Sequence, residues 1–460
     1  MKIGDADNDG QNELLIAYGW GNYGPHLIIL KPRGDGFYPV WEANFPFGEA
    51  AEMSVDVGDA NGDGQNEVVA MNATPSDINS NGKIRIYKHI GGNNYQLLWS
   101  DNLNQGFRRI AVGNIDGDHA EEIVIGNSFY DRTLYYYDYQ GGNNWSKIEI
   151  EYVGEDCHGL QIADADNDGQ KEIIVGLGIW PNYTVRIYKY LAGRIQRIWN
   201  YSFCSVSLYE PGYGVYVGDV DNDGRNEILV TEESPHQERN YNDVFIFEHT
   251  GGTNWQLYWQ MGFPWPHIGA RCPYIGRIQN TAGNEFCFLG KGTLYVYRWT
   301  GSTYARIAAQ HLPNVKVEQN NSPSVNSITG GDCDNDGEHE TVVLLGATVF
   351  IFDRFGVGIS EKDNLKSIPI GRLSTPRLNL LKKEIRISYI LSSEGLAEIR
   401  ILDQKGNIVR KIKVKGIAGQ NEIIWDGKDD MGRTLPSGNY FYHLYQNGKQ
   451  IGGAKIVKVE

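Results

Sequence analysis

No apolar run of about 18 residues, the length a membrane-spanning helix needs, occurs in the 460-residue chain. No export signal opens it either: Met1-Lys2 passes directly into Gly4-Asp5-Ala6-Asp7. Cysteine is scarce, five residues at 157, 204, 272, 287 and 333, with neither a C-x-x-C pair nor zinc spacing. That excludes a disulfide scaffold and a zinc cluster and leaves small buried side chains. Cys272 and Cys287, on neighbouring predicted strands, are the one pair to test for a bridge. Helical periodicity is absent. So are a nucleophile elbow, an H-E-x-x-H pair and a phosphate loop, and an enzyme is not expected. Excess positive charge is missing too: the net charge is −15, which argues against a nucleic-acid backbone as partner.

What the chain has is glycine (56) and aromatics (12 %, with 28 Tyr and 11 Trp). Gly-rich turns between aromatic and β-branched segments point to an all-β protein long enough for two or three domains. Charge divides it. Residues 361–460 hold 18 Lys+Arg against 11 Asp+Glu, and residues 1–360 hold 24 against 46, as two domains with different tasks would.

The segment Asp5-Ala6-Asp7-Asn8-Asp9-Gly10-Gln11-Asn12-Glu13 recurs from Asp59, Asn114, Asp164, Asp219 and Asp332, with a worn copy from Arg277. The intervals are 54, 55, 50, 55, 58 and 55 residues, giving seven units. Each unit places a short strand before the acidic loop and three after it: Met53–Val57, Glu67–Met71, Lys83–Lys88 and Tyr95–Trp99 in the second. Four-stranded units repeated seven times predict a seven-bladed β-propeller over 1–355. Trp41, Trp99, Trp199 and Trp259 in the fourth strands are assigned to packing. The first unit has only Met1-Lys2-Ile3 before its loop, and the seventh loses the pattern after Thr348–Asp353. Two explanations stand: N-terminal truncation, which would also remove an export signal, or residues 355–370 folding back as the missing strand.

The loops carry metal-binding chemistry. Carboxylates at positions 1, 3, 5 and 9, with the carbonyl of position 7, supply nearly all of the six to eight oxygens calcium prefers, and a glycine permits the tight turn. The candidate ligands are Asp5, Asp7, Asp9, Gln11 and Glu13 in the first loop, and Asp59, Asn61, Asp63, Gln65 and Glu67 in the second. The third offers Asn114, Asp116, Asp118, Ala120 and Glu122, weakened by His119 at the glycine position. The fourth offers Asp164, Asp166, Asp168, Gln170 and Glu172, and the fifth Asp219, Asp221, Asp223, Arg225 and Glu227. The seventh offers Asp332, Asp334, Asp336, Glu338 and Glu340. The sixth, with Arg277, Gln279 and Thr281, should bind nothing, Arg277 supplying the charge. Left unneutralised, carboxylates so crowded would repel. About five or six structural Ca²⁺ ions are expected, in the range of extracellular modules.

The motif D-x-D-x-D-G-x-x-[DE] before an apolar strand resembles FG-GAP/VCBS repeats, the family of the integrin α-subunit propeller. The resemblance implies the acidic loops on one face and ligands on the other. It says little about the ligand.

Residues 376–460, after a linker at 356–375, alternate in short strands from Glu384–Leu391 to Ala454–Val459 and predict a small C-terminal β-sandwich. The strings Ile424-Trp425-Asp426-Gly427 and Leu435-Pro436-Ser437-Gly438 are similar to the FlgD-like immunoglobulin-type domain. That resemblance implies a module for anchoring, sorting or assembly at the end of a bacterial secreted protein. Asp426, Asp429 and Asp430 are assigned to turns rather than a metal.

On the face opposite the acidic loops, Trp20, Tyr23, Trp180, Tyr183, Tyr209, Tyr213, Trp265, His267 and Arg271 are the ligand candidates. Exposed aromatics beside polar groups suit sugar rings or a protein surface, and they suit packing between blades equally. The tripeptide Arg33-Gly34-Asp35 falls in a turn and is taken as chance. The expected function is an extracellular or cell-surface, calcium-stabilised propeller that binds glycan or protein, without a membrane span. The alternatives are a polysaccharide-acting enzyme using His158, His267, Glu49, Glu210 or Arg271, and a structural subunit self-assembling through an open blade edge or the C-terminal domain.

Overall fold

The computed structural model describes the chain apart from residues 21–22, 34–35, 46–51, 74–81, 104–106, 128–130, 180–181, 204–212, 233–242, 263–270, 280–282, 291, 313–325, 346–347, 353–364, 370–379, 382–384, 392–394, 404–405, 417–418, 437, 447–448 and 459–460. It divides into two units, Met1–Leu373 and Ser374–Glu460.

Among the described residues, the first unit contains seven four-stranded antiparallel sheets, each built from consecutive strands. The second blade has Glu52–Gly58, Glu67–Ala73, Gly82–His89 and Tyr95–Leu103, each longer than its sequence pattern predicts. The middle strands are apolar on both sides because both sides are buried. Leu14, Ile16, Ile28 and Leu30 of the first blade pack against Val342, Leu344 and Ile351 of the seventh. Their alternate neighbours Leu15, Ala17, Leu27 and Ile29 pack against Val55, Val68 and Ala70 of the second. Corresponding cores fill the other five junctions, so the sheets close into a ring. The first strands of all seven sheets line a central cavity of about 480 Å³, with Lys2, Asp56, Arg109, Gln161, Tyr216, Cys272 and Ser327 on its wall. Glycine ends most of these strands, and at Gly58 and Gly113 the next blade leaves no room for a side chain: a Cβ on Gly113 would lie 2.7 Å from Ile162 Cγ2.

One boundary needs correction. Leu365–Pro369, inside the expected linker at 356–375, pairs antiparallel with Thr348–Phe352 as the seventh blade's fourth strand. The blade therefore has no missing strand, and the open edge that motivated self-assembly is covered. The apolar pattern there is short and interrupted by Pro369, so its periodicity gave little signal. Cys272 and Cys287 are not joined in a disulfide, and Cys204 lies outside the described residues.

In the second unit a five-stranded sheet and the strand pair Ile385–Leu391 with Gly419–Trp425 form the sandwich. Trp425 and Tyr440 meet edge to face at 5.6 Å in its core. Tyr440 Oη donates to the Pro436 carbonyl at 2.8 Å, pinning the turn before its strand. Asp429 accepts from the amides of Met431 and Arg433, at 2.9 and 2.8 Å, as a turn residue does.

Candidate metal centres

Every acidic loop joins the first strand of a blade to the second, and one internal scheme recurs. In the first loop Asp5 accepts from the amides of Asp9 and Gly10, at 3.1 and 2.9 Å, and Asp9 accepts from Gln11 at 2.9 Å. The fourth loop repeats this with Asp164 and Asp168, and the seventh with Asp332 and Asp336. Gly10 takes φ 85°, the left-handed turn that glycine permits. In the third loop Gly117, not the residue aligned with Gly10, takes that conformation.

The closing glutamate begins the second strand, at most 2 % exposed in every blade. One oxygen, Oε2, accepts from the amide of position 2: Ala6 to Glu13 at 2.9 Å, Ile115 to Glu122 at 2.6 Å, Ala165 to Glu172 at 2.8 Å and Val220 to Glu227 at 2.9 Å. The other is left to face the acids of the loop. Carboxylate oxygens of Asp5, Asp7 and Glu13 lie within 4.8 Å of one another, as do those of Asp116, Asp118 and Glu122, of Asp164, Asp166 and Glu172, of Asp219, Asp221 and Glu227, and of Asp332, Asp334 and Asp336. No donor among the described residues reaches Glu122 Oε1 or Asp219 Oδ1. Orphaned buried oxygens beside further carboxylates fit a hard, oxygen-seeking cation. Burial, reinforced by Asp116 and Asp118, raises the Glu122 carboxyl to about 8, and burial with Asp221 and Asp219 raises Glu227 to about 8. Burial and neighbouring aspartates bring Glu13 and Glu67 to about 7.

The loops are not alike, and the difference comes from the third strand. Lys31 Nζ lies 2.5 Å from Asp7, 2.8 Å from Asp9 and 3.4 Å from Glu13. Lys189 Nζ lies 2.6 Å from Asp166, 2.6 Å from Asp168 and 2.8 Å from Glu172. Lys88 meets Asp63 and stands 3.7 Å from Glu67. Burial works against these ammonium groups, but hydrogen bonds to the loop acids hold Lys31 and Lys189 above the ordinary lysine range. The mutual repulsion from which ions were expected in six of the loops is therefore partly offset by a lysine in blades 1, 2 and 4. In the sixth blade the charge that meets Glu285 comes from Arg298, at 2.5 Å, and the same group reaches Gln279 at 2.7 Å. The sequence motif ended before the third strand, so these cations were missed. Strand register would have found them, since Glu67 pairs with Lys88.

Asparagines at positions 4 and 8 fasten several of the loops to the next. Asn66 donates its amide to Asn8 Oδ1 at 2.7 Å and its side chain to the Asp5 carbonyl at 2.8 Å. Asn226 does the same to Asn167 and Asp164, and Asn284 to Asn222 and Asp219. An aromatic at the start of the fourth strand seals the loop of the preceding blade: Trp145 Nε1 donates to the Ala60 carbonyl at 2.9 Å, and Trp255 Nε1 to that of Ala165 at 3.3 Å.

Of the ligand candidates, Trp20 ends the first blade's second strand and pairs with Tyr23, at the far end from the acidic loop. Tyr183 pairs with Gly178, Tyr213 with Glu232 and Arg271 with Leu289, at the same end of their blades. Trp180, Tyr209, Trp265 and His267 lie outside the described residues, as do Glu49, Glu210, Gly34 and Asp35. His158 is buried in the cavity wall, and its carbonyl accepts from Arg109 Nε at 2.7 Å. Trp41, Trp99, Trp199 and Trp259 pack against the cores between blades.

Residues 5–70 match the family of FG-GAP-like repeats, and residues 382–449 match the FlgD Ig-like domain. No curated protein matches the chain. Among solved structures, an Agrocybe aegerita lectin described by its recognition of non-reducing terminal N-acetylglucosamine is 13 % identical over 78 % of this chain and 90 % of its own, with a TM-score of 0.47. PorZ of Porphyromonas gingivalis, a surface component of the type-IX secretion system, is 12 % identical over 94 % of this chain, with a TM-score of 0.39. The chain spans 63 % of PorZ's length. Neither likeness is close enough to transfer a residue's role.

Proposed function

We propose that this chain, a propeller with an FG-GAP-like repeat followed by a FlgD Ig-like domain, is a secreted or cell-surface binding protein. In this reading calcium steadies one face, a glycan or protein engages the other, and the C-terminal domain anchors, sorts or assembles the molecule. The supporting observation is the contrast between the two ends of each blade. At one end short acidic loops are fastened to their neighbours by asparagine bonds and sealed by aromatics. At the other, Trp20, Tyr23, Tyr183, Tyr213 and Arg271 stand at strand ends, where the connections vary in length, from two residues between Trp20 and Tyr23 to nine between Met261 and Arg271. Rigid scaffolds carry binding residues on such connections, and Trp and Tyr suit sugar and protein surfaces. The residues of the loops fit calcium by donor chemistry, and the ion would hold loops together rather than react.

The test is binding of the full chain to a broad glycan array and to extracellular proteins, in calcium and in EDTA. Calcium-dependent binding that Trp20→Ala abolishes without lowering Tm supports the proposal. Binding to neither class, or binding indifferent to changes on the aromatic face, removes it.

A further inference from the structure

We infer that the loops of blades 1, 2 and 4 are closed by their own lysines and take no divalent ion, while those of blades 3 and 5 are the cation sites. The inference rests on the calcium reading above and narrows it.

The discriminating position is the third-strand residue opposite the closing glutamate. Register places it directly: Glu67 faces Lys88 and Glu227 faces Glu248. One step beyond Leu14–Leu30, Ile123–Tyr137 and Ile173–Tyr188, the same position is Lys31, Asp138 and Lys189. Three blades therefore aim an ammonium at the acids, and two aim another carboxylate.

An ammonium has three donors and no acceptor. Lys189 donates to Asp166 and Asp168, both at 2.6 Å, its Nζ lies 2.8 Å from Glu172 Oε1, and it is 6 % exposed. Calcium would have to expel a buried cation already held by the oxygens calcium needs. Lys31 is arranged the same way. In the second loop Asn61 Nδ2 also donates to Glu67 Oε1, at 2.8 Å, so an amide hydrogen fills part of the ligand sphere.

Blade 3 has the opposite chemistry. Buried carboxylate oxygens without a hydrogen-bond donor among the described residues occur in both groups of loops, Glu13 Oε1 and Glu172 Oε1 as well as Glu122 Oε1, but beside Glu122, 2 % exposed, the third strand brings Asp138 where the others have a lysine. In blade 5, Asp219 Oδ1 has no donor beside Asp221 and Glu227, and Glu248 stands opposite. Arg225 lies on the solvent side, 2.9 Å from Asp223 and 4.0 Å from Glu248.

The experiment is native mass spectrometry of the full chain, stripped with EDTA and re-equilibrated in millimolar calcium. Two ions per chain, or three if the seventh loop fills, are expected. Four or more overturn the inference and leave the calcium reading intact. Fewer than two overturn the inference, and none removes the calcium reading with it. Lys189→Met, purified in calcium, should bind one ion more than the wild type and acquire a larger calcium-dependent rise in Tm. Asp138→Lys should bind one fewer. An unchanged count in both folded variants would show that the third-strand residue does not select the ion, and the inference fails.

Discussion

The backbone amide of Asn12 donates to Asn335 Oδ1 at 2.8 Å across 323 residues of sequence, and Asn12 Nδ2 donates to the Asp332 carbonyl at 2.9 Å. These bonds join the first loop to the seventh. They repeat the bonds of Asn66 to Asn8, so the ring closes with the same latch that joins the first blade to the second. Asn335 sits at φ 62°, a conformation asparagine tolerates better than most residues.

Two costs can therefore be separated at that position. Asn335→Gly removes the latch and keeps the backbone comfortable, and should cost about 1–2 kcal/mol. Asn335→Ala removes the latch and adds left-handed strain of about 1–2 kcal/mol. Urea unfolding should rank the wild type above the glycine variant and the glycine variant above alanine. Equal midpoints for the two variants would show that the backbone is not held in this conformation.

The pH dependence of the metal-free protein should run opposite to that of most folded proteins. Glu122 and Glu227 ionise in the folded chain only at about 8, against an ordinary value of 4.5, because burial and neighbouring acids oppose their charge. The folded state therefore holds protons the unfolded chain has lost. Stability is greatest below the unfolded value and falls as pH rises toward 8, at up to about 1.4 kcal/mol per pH unit for each group. Tm in EDTA should drop between pH 5 and pH 8, and calcium should restore most at the upper end. A Tm in EDTA that rises over this range would contradict the protonation assigned to these glutamates.

The same electrostatics give Glu122→Gln a sign that depends on the ion. Without calcium the amide removes an unfavourable buried charge, so the variant should be more stable than the wild type at pH 8. With calcium it lacks a ligand oxygen of full charge and should be less stable. Melting curves with and without calcium should therefore cross in rank, and a loss of stability under both conditions would count against a charged Glu122 in the metal-free loop.

The blade repeat was legible because each strand pair and acidic loop is local, within about 55 residues. Residues buried by one blade against the next, such as Leu14 toward one neighbour and Leu15 toward the other, showed as unbroken apolar strands without naming their partners. The lysines of the loops were not legible from the motif, because Lys31 lies 18 residues after Glu13 and only register brings them together. Asn8 and Asn12 were visible but ambiguous: asparagine favours turns on its own account, and their partners are a blade away. The fourth strand of the last blade, only five residues long, was legible as no more than one of two alternatives, residues 355–370 folding back, and that is the one the structure has.

The residue that seals each loop offers a prediction in which one structural place gives two signs. Trp145 begins the third blade's fourth strand, is 4 % exposed, and donates Nε1 to the Ala60 carbonyl at 2.9 Å. Trp145→Phe loses that bond and leaves a buried carbonyl without it, a cost of about 1–3 kcal/mol beyond the smaller ring. Tyr95 occupies the same place in the second blade, but its hydroxyl is buried with no partner among the described residues. Burial, then Glu13 and Asp7 beside it, raise its pKa, so it stays neutral and brings a desolvated polar atom without a bond. Tyr95→Phe removes that atom and keeps the ring packing on Trp41, 5.0 Å away. Its Tm should match or exceed that of the wild type, while Trp145→Phe should melt several degrees lower. If Tyr95→Phe destabilises as much as Trp145→Phe, the hydroxyl has a partner, and the carboxylates of the first loop, Asp7 and Glu13, would be the place to look for it.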